Sequence, residues 1–170
     1  NGLTFCGLYA MMARAYMHKY RLTREQLALV SVKNHKHATY NPIAHYHNEI
    51  TVDQVLNSSI IADPLTLLDC SPITDGSASV VLAREDIARK FESPIWILGS
   101  GQANDTLSLH ARKSLTEIPA STHAAQRALM QAKLGIDKVN VTEVHDCFSI
   151  AEVMAIEDLG LIPRGEAGRI

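Results

Sequence analysis

A histidine, an aspartate and a cysteine stand side by side near the end of the chain, at His145, Asp146 and Cys147. Such side chains can move a proton, stabilise a negative oxygen or attack a carbonyl carbon. Alternating valines precede them and a helical apolar pattern starts at Ser149, so the triplet is predicted to lie where a strand ends and a helix begins. Open α/β sheets bind ligands at that edge. A polar turn without chemistry would carry the same residues, and spacing alone leaves both interpretations open.

A second group of candidate residues is rich in histidine. On a strand, each His-x-His pair would point to one face and could hold a metal ion. The two pairs are formed by His35 and His37 and by His45 and His47. However, Asn41-Pro42 breaks the segment with a turn, and no cysteine or carboxylate completes an obvious ligand set. We therefore expect a loop over residues 35–49 and no bound metal.

The segments that must position these residues alternate between strand and helix periodicity. A capping box of Ser149 and Glu152 is predicted to start the last helix, and similar boxes stand at Thr23 and Thr51. Residues 77–83, 95–98 and 139–144 are the predicted strands, and residues 122–134 and 149–159 are the main predicted helices after the first. This alternation predicts α/β layers, with the strands in central sheets and the helices packed on them.

Composition restricts the class of protein. The 170 residues are 46% hydrophobic and 20% charged, as in an ordinary globular protein with one core. A net charge of −2 gives no electrostatic basis for binding nucleic acid or a membrane surface. No apolar run approaches the ~20 residues that a membrane helix needs. Three cysteines without paired spacing favour a reducing, cytoplasmic environment over a disulfide framework.

The quartet His145-Asp146-Cys147-Phe148 resembles the HDCF motif of the thiolase superfamily, in its sterol-carrier-protein and archaeal branch. The resemblance covers most of the chain, and its other matching segments are residues 1–20, 32–42, 50–83 and 109–125. It implies part of the layered α/β/α/β/α thiolase fold. Residues 1–93 would hold the end of the first thiolase half, including a lid or loop region at about 31–70. Residues 94–170 would start the second half.

The same resemblance implies an acyltransferase that condenses acyl-CoA units or cleaves a 3-ketoacyl-CoA through a cysteine thioester. Coenzyme A thioesters would be substrates, with no tightly bound cofactor and no metal. His145 would take part in the oxyanion hole, Asp146 would orient His145 or the helix start, and Cys147 would line the pocket without attacking. Ser71 matches a residue that hydrogen-bonds the pantetheine arm of coenzyme A, although Ser71-Pro72 could equally be a simple turn.

Departures from the thiolase pattern concern the nucleophile. Cys6 lies in the first turn of a predicted helix, where the dipole could activate a thiol. It matches a helix other than the one that carries the family's acylated cysteine, so we expect Cys6 to be a packing residue. The Gly-His-Pro loop and the Cys-x-Gly segment of thiolases are also missing from these 170 residues. We expect the chain to be the central part of a longer enzyme and inactive alone.

The resemblance extends to assembly. It implies a homo-oligomer of the full-length parent and, as this branch often has one, a small partner protein that helps to cover coenzyme A. The alternative is a non-catalytic paralogue that binds coenzyme A or serves as a scaffold in a multi-protein complex.

Overall fold

The computed structural model describes residues 2–169, which contain helices and one small antiparallel sheet. The elements are α1 (Phe5–Tyr20), α2 (Arg24–Ala38), α3 (Val52–Leu56), β1 (Ile60–Ala62), β2 (Leu65–Thr66), α4 (Glu85–Ala88), α5 (Pro119–Ala132) and α6 (Ser149–Asp158). Over this stretch, no helix has both the length and the apolar character that crossing a membrane requires.

Threonines start the first three helices, as their sequences predict. Thr4 accepts a hydrogen bond from the backbone N–H of Gly7 at 3.2 Å, which satisfies one of the free amides of α1. The capping boxes of α2 and α3 are both confirmed: Thr23 and Thr51 each exchange hydrogen bonds with the glutamine three residues later. These local signals are strong because each cap depends only on residues of its own first turn.

The core is built where α1, α2 and α6 pack around β2. Tyr16, Leu27, Leu65, Ile150 and Met154 are among its fully buried side chains, and they come from all four elements. Helix α6 lies deepest, since eight of its ten residues are buried. A helix buried on most of its surface rather than on one stripe is a central element of the fold.

The three predicted strands are wrong as secondary structure. Residues 77–83, 95–98 and 139–144 are irregular, and within the described chain none of them pairs with another strand. Their apolar side chains are largely exposed: Val81 is 96% exposed, Ile95 92% and Val141 82%. A β-branched sequence fits a strand, but a strand forms only when a neighbour supplies hydrogen bonds and cross-strand contacts.

Helix α5 begins earlier than predicted. A cap at Ser121 or Thr122 would fit the predicted start at residue 122, but neither caps the helix. Pro119 occupies the first turn, where its missing N–H is not needed. Residues 99–102 lie directly against this helix, because a Cβ on Gly99 or Gly101 would overlap its carbonyl oxygens. The glycines of the Gly99-Ser100-Gly101 segment therefore allow close packing of its backbone on α5.

The histidine-rich segment differs from its predicted course at one end. Helix α2 continues to Ala38, so His35 and His37 are helical and the predicted loop over residues 35–49 starts too early. Both stand in the last turn of α2, where basic side chains interact favourably with the helix dipole. Residues 39–51 are irregular, as expected.

Candidate functional site

The His145–Cys147 turn enters α6 beside a second segment of interest. Phe148 precedes the helix in an extended conformation and forms an isolated antiparallel bridge with Cys70. Next to this bridge, the backbone N–H of Ser71 donates a hydrogen bond to the carbonyl oxygen of Cys147 at 3.0 Å. The structure thus joins two sites that the sequence placed 74 residues apart, counted from Ser71 to His145.

Behind the turn, Ser149 takes a role that the sequence did not predict. It is the first residue of α6 rather than its cap, and its side chain makes no capping hydrogen bond, so the predicted box with Glu152 is wrong. The buried hydroxyl instead donates to Asp69 Oδ1 at 2.6 Å and lies 3.2 Å from the hydroxyl of Ser31. Tertiary partners displace a local cap here because burial leaves the Asp69 carboxylate in need of donors.

Asp69 is the anchor of this buried polar group. Its side chain is fully buried, and Oδ2 accepts hydrogen bonds from Arg24 and from the backbone N–H of Thr66, both at 2.9 Å. The arginine supplies the opposite charge that a buried carboxylate requires. Sequence analysis missed Asp69, although an acidic residue inside the apolar run 65–70 was the available signal.

Asp146 and His145 have different surroundings. The Asp146 carboxylate accepts a hydrogen bond from the Asn34 side chain of α2 at 2.6 Å. His145 is exposed, and in the part of the chain that is described it has no hydrogen-bond partner. Orientation of His145 by Asp146 therefore stays a prediction, while contact of Asp146 with α2 is an observed feature.

A cavity of about 370 Å³ lies between α2, the irregular residues 44–46 and the segment 67–72. Ser71 and Asp146 line it, together with Asn34, His35 and His45. The rest of the wall is mainly apolar, with residues of α2 and the leucines of segment 67–72, and it also includes the polar Ser31, Asp69 and Ser149. An apolar cleft with a few placed polar groups suits a slender, partly polar ligand.

His35 and His45 connect the irregular residues 39–51 to neighbouring parts of the structure. His45 Nδ1 lies 2.7 Å from the hydroxyl of Thr74, and His35 Nδ1 lies 3.0 Å from the carbonyl oxygen of Asn48. The ring of Tyr46 stacks on His35 and meets His45 edge-on. No set of three or more metal-binding side chains occurs anywhere in residues 2–169. The observed partners give these histidines a structural role.

All three cysteines are free, and those of the site are poor nucleophiles at neutral pH. Burial raises the pKa of the Cys70 thiol to about 12, with the nearby Cys6 and the Asp69 carboxylate adding to the shift. Burial also raises the pKa of Cys147, although a hydrogen bond with Tyr9 opposes the change. Cys6 packs against the core, as expected. Cys70 lines the cavity, and a neutral thiol does not attack a thioester.

Comparison with known proteins identifies the family in both the N-terminal and the C-terminal part of the chain. The family model described as Thiolase, N-terminal domain matches residues 6–86, and the one described as Thiolase C-terminal domain-like matches residues 101–170. An acetyl-CoA acetyltransferase of Methanothermobacter thermautotrophicus is 51% identical over 170 residues, and one of Methanocaldococcus jannaschii is 44% identical over 172 residues. Both alignments cover 99% of this chain and 44% of the relative.

A solved structure named Ltp2-ChsH2(DUF35) aldolase superposes with a TM-score of 0.86 and 31% identity, over 99% of this chain and 46% of that chain. The chain therefore spans less than half the length of the proteins it matches. The expected partial thiolase fold is confirmed, although residues 77–83, 95–98 and 139–144 form no strand within residues 2–169. On these matches, the chain belongs to the thiolase family.

Proposed function

We propose that the protein containing this chain is a thiolase-type acyltransferase that condenses acyl-CoA units or cleaves a 3-ketoacyl-CoA. The observation that carries the proposal is the hydrogen bond between Ser71 and Cys147 at the rim of a 370 Å³ cavity. This bond brings Ser71, the candidate for binding coenzyme A, next to Cys147, which is two residues after His145, the candidate for catalysis. The similarity to two acetyl-CoA acetyltransferases supports the acyl-transfer chemistry.

In this proposal the substrate arm runs through the cavity. The hydroxyl of Ser71 would hydrogen-bond an amide of the pantetheine arm, and the apolar wall would cover its methylene groups. Coenzyme A thioesters are then substrates rather than bound cofactors. The exposed ring of His145, one residue before the cavity-lining Asp146, would meet the thioester end of the substrate.

His145 would act on an oxyanion. An enzyme thiolate first takes the acyl group and releases coenzyme A. A second acyl-CoA then loses its α-proton to a general base. The resulting carbanion attacks the enzyme thioester, so that a carbon–carbon bond forms, the carbon–sulfur bond breaks and the enzyme thiolate leaves. In that carbanion the negative charge spreads onto the thioester oxygen. An imidazole N–H, directly or through a water, would stabilise this oxygen while charge develops. Asp146 would hold the turn that carries the ring.

The thiolate of this reaction is proposed to come from outside these 170 residues. Cys70 and Cys147 keep their protons at neutral pH because burial raises their pKa values, and Cys6 is packed against the core. The chain alone would accordingly bind substrate without turning it over. We also propose that the two thiolase halves meet near Ser93-Pro94, between the ranges matched by the two family models.

A partner protein is a further part of the proposal. The name of the similar solved structure joins two components, Ltp2 and ChsH2(DUF35), so a relative of this chain assembles with a second protein. A comparable partner could cover the open side of the cavity and the bound coenzyme A. The same similarity supports the second candidate, a subunit that binds coenzyme A or a partner without catalysis. Free cysteines fit a cytoplasmic location.

The test is His145→Ala in the full-length protein. Turnover should fall roughly 10²- to 10³-fold, the usual loss for one oxyanion-hole donor. Thermal stability should stay unchanged because His145 is exposed. The burst of acyl-enzyme formation should persist, since it precedes the step that His145 assists. His110→Ala is the matched control, because His110 is also exposed and lies in another segment. Unchanged turnover in His145→Ala would remove His145 from the mechanism, whereas no turnover in the parent protein would favour the non-catalytic alternative.

A further inference from the structure

Asn34 stands between two carboxylates at the start of α6. Its side-chain N–H groups donate to Asp146 Oδ2 at 2.6 Å and to Glu152 Oε2 at 2.8 Å. Asp146 belongs to the turn before α6 and Glu152 to the first turn of the helix, so one amide ties both to α2. We propose that Asn34 is a positioning residue, which fixes the His145–Cys147 turn at the cavity and thereby places His145 for catalysis.

The turn is held from two sides, and Asn34 supplies one of them. On the side of segment 70–71, Ser71 donates to the Cys147 carbonyl and Cys70 pairs with Phe148, which are backbone contacts insensitive to side-chain identity. On the side of α2, the contact to residue 146 depends on the Asn34 amide. With the backbone contacts of Cys70 and Ser71 alone, residues 145–147 could still rotate about the line that these contacts form. The second contact removes this freedom.

The chemistry of the contact favours an amide over a charged donor. Glu152 is buried and already forms an ion pair with Lys33, so its charge is compensated. Asn34 adds a donor without a further charge, and it lines the cavity beside His35. A neutral, short side chain with two N–H groups can bridge two acceptors in fixed directions, which a flexible ammonium group does less well.

This inference rests on the proposed function for its catalytic consequence, but its structural part can be measured separately. The amide of Ser71 reports on the turn, because its N–H is bonded to the Cys147 carbonyl. In the full-length protein, Asn34→Leu should speed hydrogen exchange of the Ser71 amide about tenfold and lower kcat by a similar factor. KM should change by less than about twofold, because leucine branches at the same carbon as asparagine and keeps position 34 of the cavity wall filled.

Lys33→Met is the matched control, since Lys33 contacts Glu152 but makes no hydrogen bond to Asp146 among the described contacts. It should leave both Ser71 exchange and kcat unchanged. In a pair that exchanges donor and acceptor, Asn34→Asp places a third carboxylate beside Asp146 and Glu152 and should speed exchange more than Asn34→Leu. Adding Asp146→Asn to Asn34→Asp should slow exchange again, because an amide at position 146 can donate to a carboxylate at position 34.

Two results would overturn the proposal. One is unchanged Ser71 exchange in both Asn34→Leu and Asn34→Asp. The other is equal effects of Lys33→Met and Asn34→Leu, which would show that only the anchoring of Glu152 matters. If His145→Ala leaves turnover intact while Asn34→Leu still loosens the Ser71 amide, the catalytic role of His145 fails and the positioning of the turn stands.

Discussion

The two ends of α6 are both buried in polar surroundings, but they are built differently. At its N-terminal end, the hydroxyl of Ser149 binds the Asp69 carboxylate, which Arg24 neutralises. At its C-terminal end, Glu157 and Asp158 are both fully buried at the side chain and share one arginine, Arg164. The first end borders the cavity through Ser149 and Asp69, whereas none of the residues at the second end lines it.

The difference shows which end is structural. Glu157 Oε1 accepts hydrogen bonds from Tyr16 and from the backbone N–H groups of Gly165 and Ala167, so it ties α1 and the chain end to α6. Carboxylates at a helix C-terminus face the negative end of the dipole, which makes their partners more important. Although burial opposes the charge of Arg164, the carboxylates of Asp158 and Glu157 raise its pKa above the ordinary value. At the N-terminal end each buried carboxylate has a cation of its own, Arg24 for Asp69 and Lys33 for Glu152.

The largest effect on stability is expected at the C-terminal end. Glu157→Ala leaves the Tyr16 hydroxyl, two backbone amides and part of the Arg164 charge without their partner. Removing one member of a buried ion pair costs about 3–5 kcal/mol. Denaturant unfolding should show a loss of this size, while turnover per folded molecule of the full-length protein stays near the parent value.

Glu157→Gln is the matched control, because its amide oxygen can still accept from Tyr16 or from the backbone while the charge is gone. It should lose less than Glu157→Ala. Equal losses in the two variants would mean that charge dominates, and a large fall in turnover of folded Glu157→Gln would erase the contrast between the two ends.

A smaller loss is expected at the N-terminal end. Ser149→Ala removes the donor to Asp69 Oδ1, and a hydrogen bond to a charged group contributes about 1.5–3 kcal/mol. Turnover should fall severalfold as well, because Ser149 and Asp69 line the cavity next to Asp146. Denaturant unfolding and steady-state kinetics on the same preparation check both effects.

Ser31→Ala separates the two hydroxyls. Its contact with Ser149 joins neutral groups at 3.2 Å, so its loss should be about 0.5–1.5 kcal/mol. If Ser31→Ala destabilises as much as Ser149→Ala, the carboxylate of Asp69 is not the dominant partner of Ser149.

Local signals explain which parts of the fold were predictable. Thr23 with Gln26 and Thr51 with Gln54 gave correct helix starts, since both partners of each box lie in one turn. The Ser149–Glu152 pair has the same spacing and failed, because Asp69 and Asn34 compete for these side chains from distant parts of the sequence. Burial decides between the two outcomes, and spacing does not contain that information.

The strand and site predictions show the same limit. The β-branched run at Val80 and Val81 meets the composition of a strand, but pairing depends on a neighbour, and within residues 2–169 none is present. For the site, the motif resemblance singled out His145, Asp146 and Ser71 without any distance between them. The contacts of Ser71 with Cys147 and of Asn34 with Asp146 could not be predicted, because 76 and 112 positions separate the partners and no periodicity links them.

The effect confined to alkaline pH is a difference in stability between the two ends. Cys70 has its pKa raised to about 12 by burial, whereas an unfolded thiol titrates near 8.5, so above that pH the unfolded state loses a proton that the folded state keeps. Stability should therefore fall as pH rises from about 8.5 towards 12. At the C-terminal end the corresponding group is Tyr16. Burial and the contact with Glu157 also raise its pKa, but an unfolded tyrosine titrates only near 10.

Cys70→Ala should flatten the decline in unfolding free energy between about pH 8.5 and 10, and Tyr16→Phe should leave the slope in that interval unchanged. Denaturant midpoints measured at half-unit pH steps distinguish the two variants, and an equal slope in Cys70→Ala and the parent would show that the Cys70 thiol ionises as readily in the folded chain as in the unfolded one.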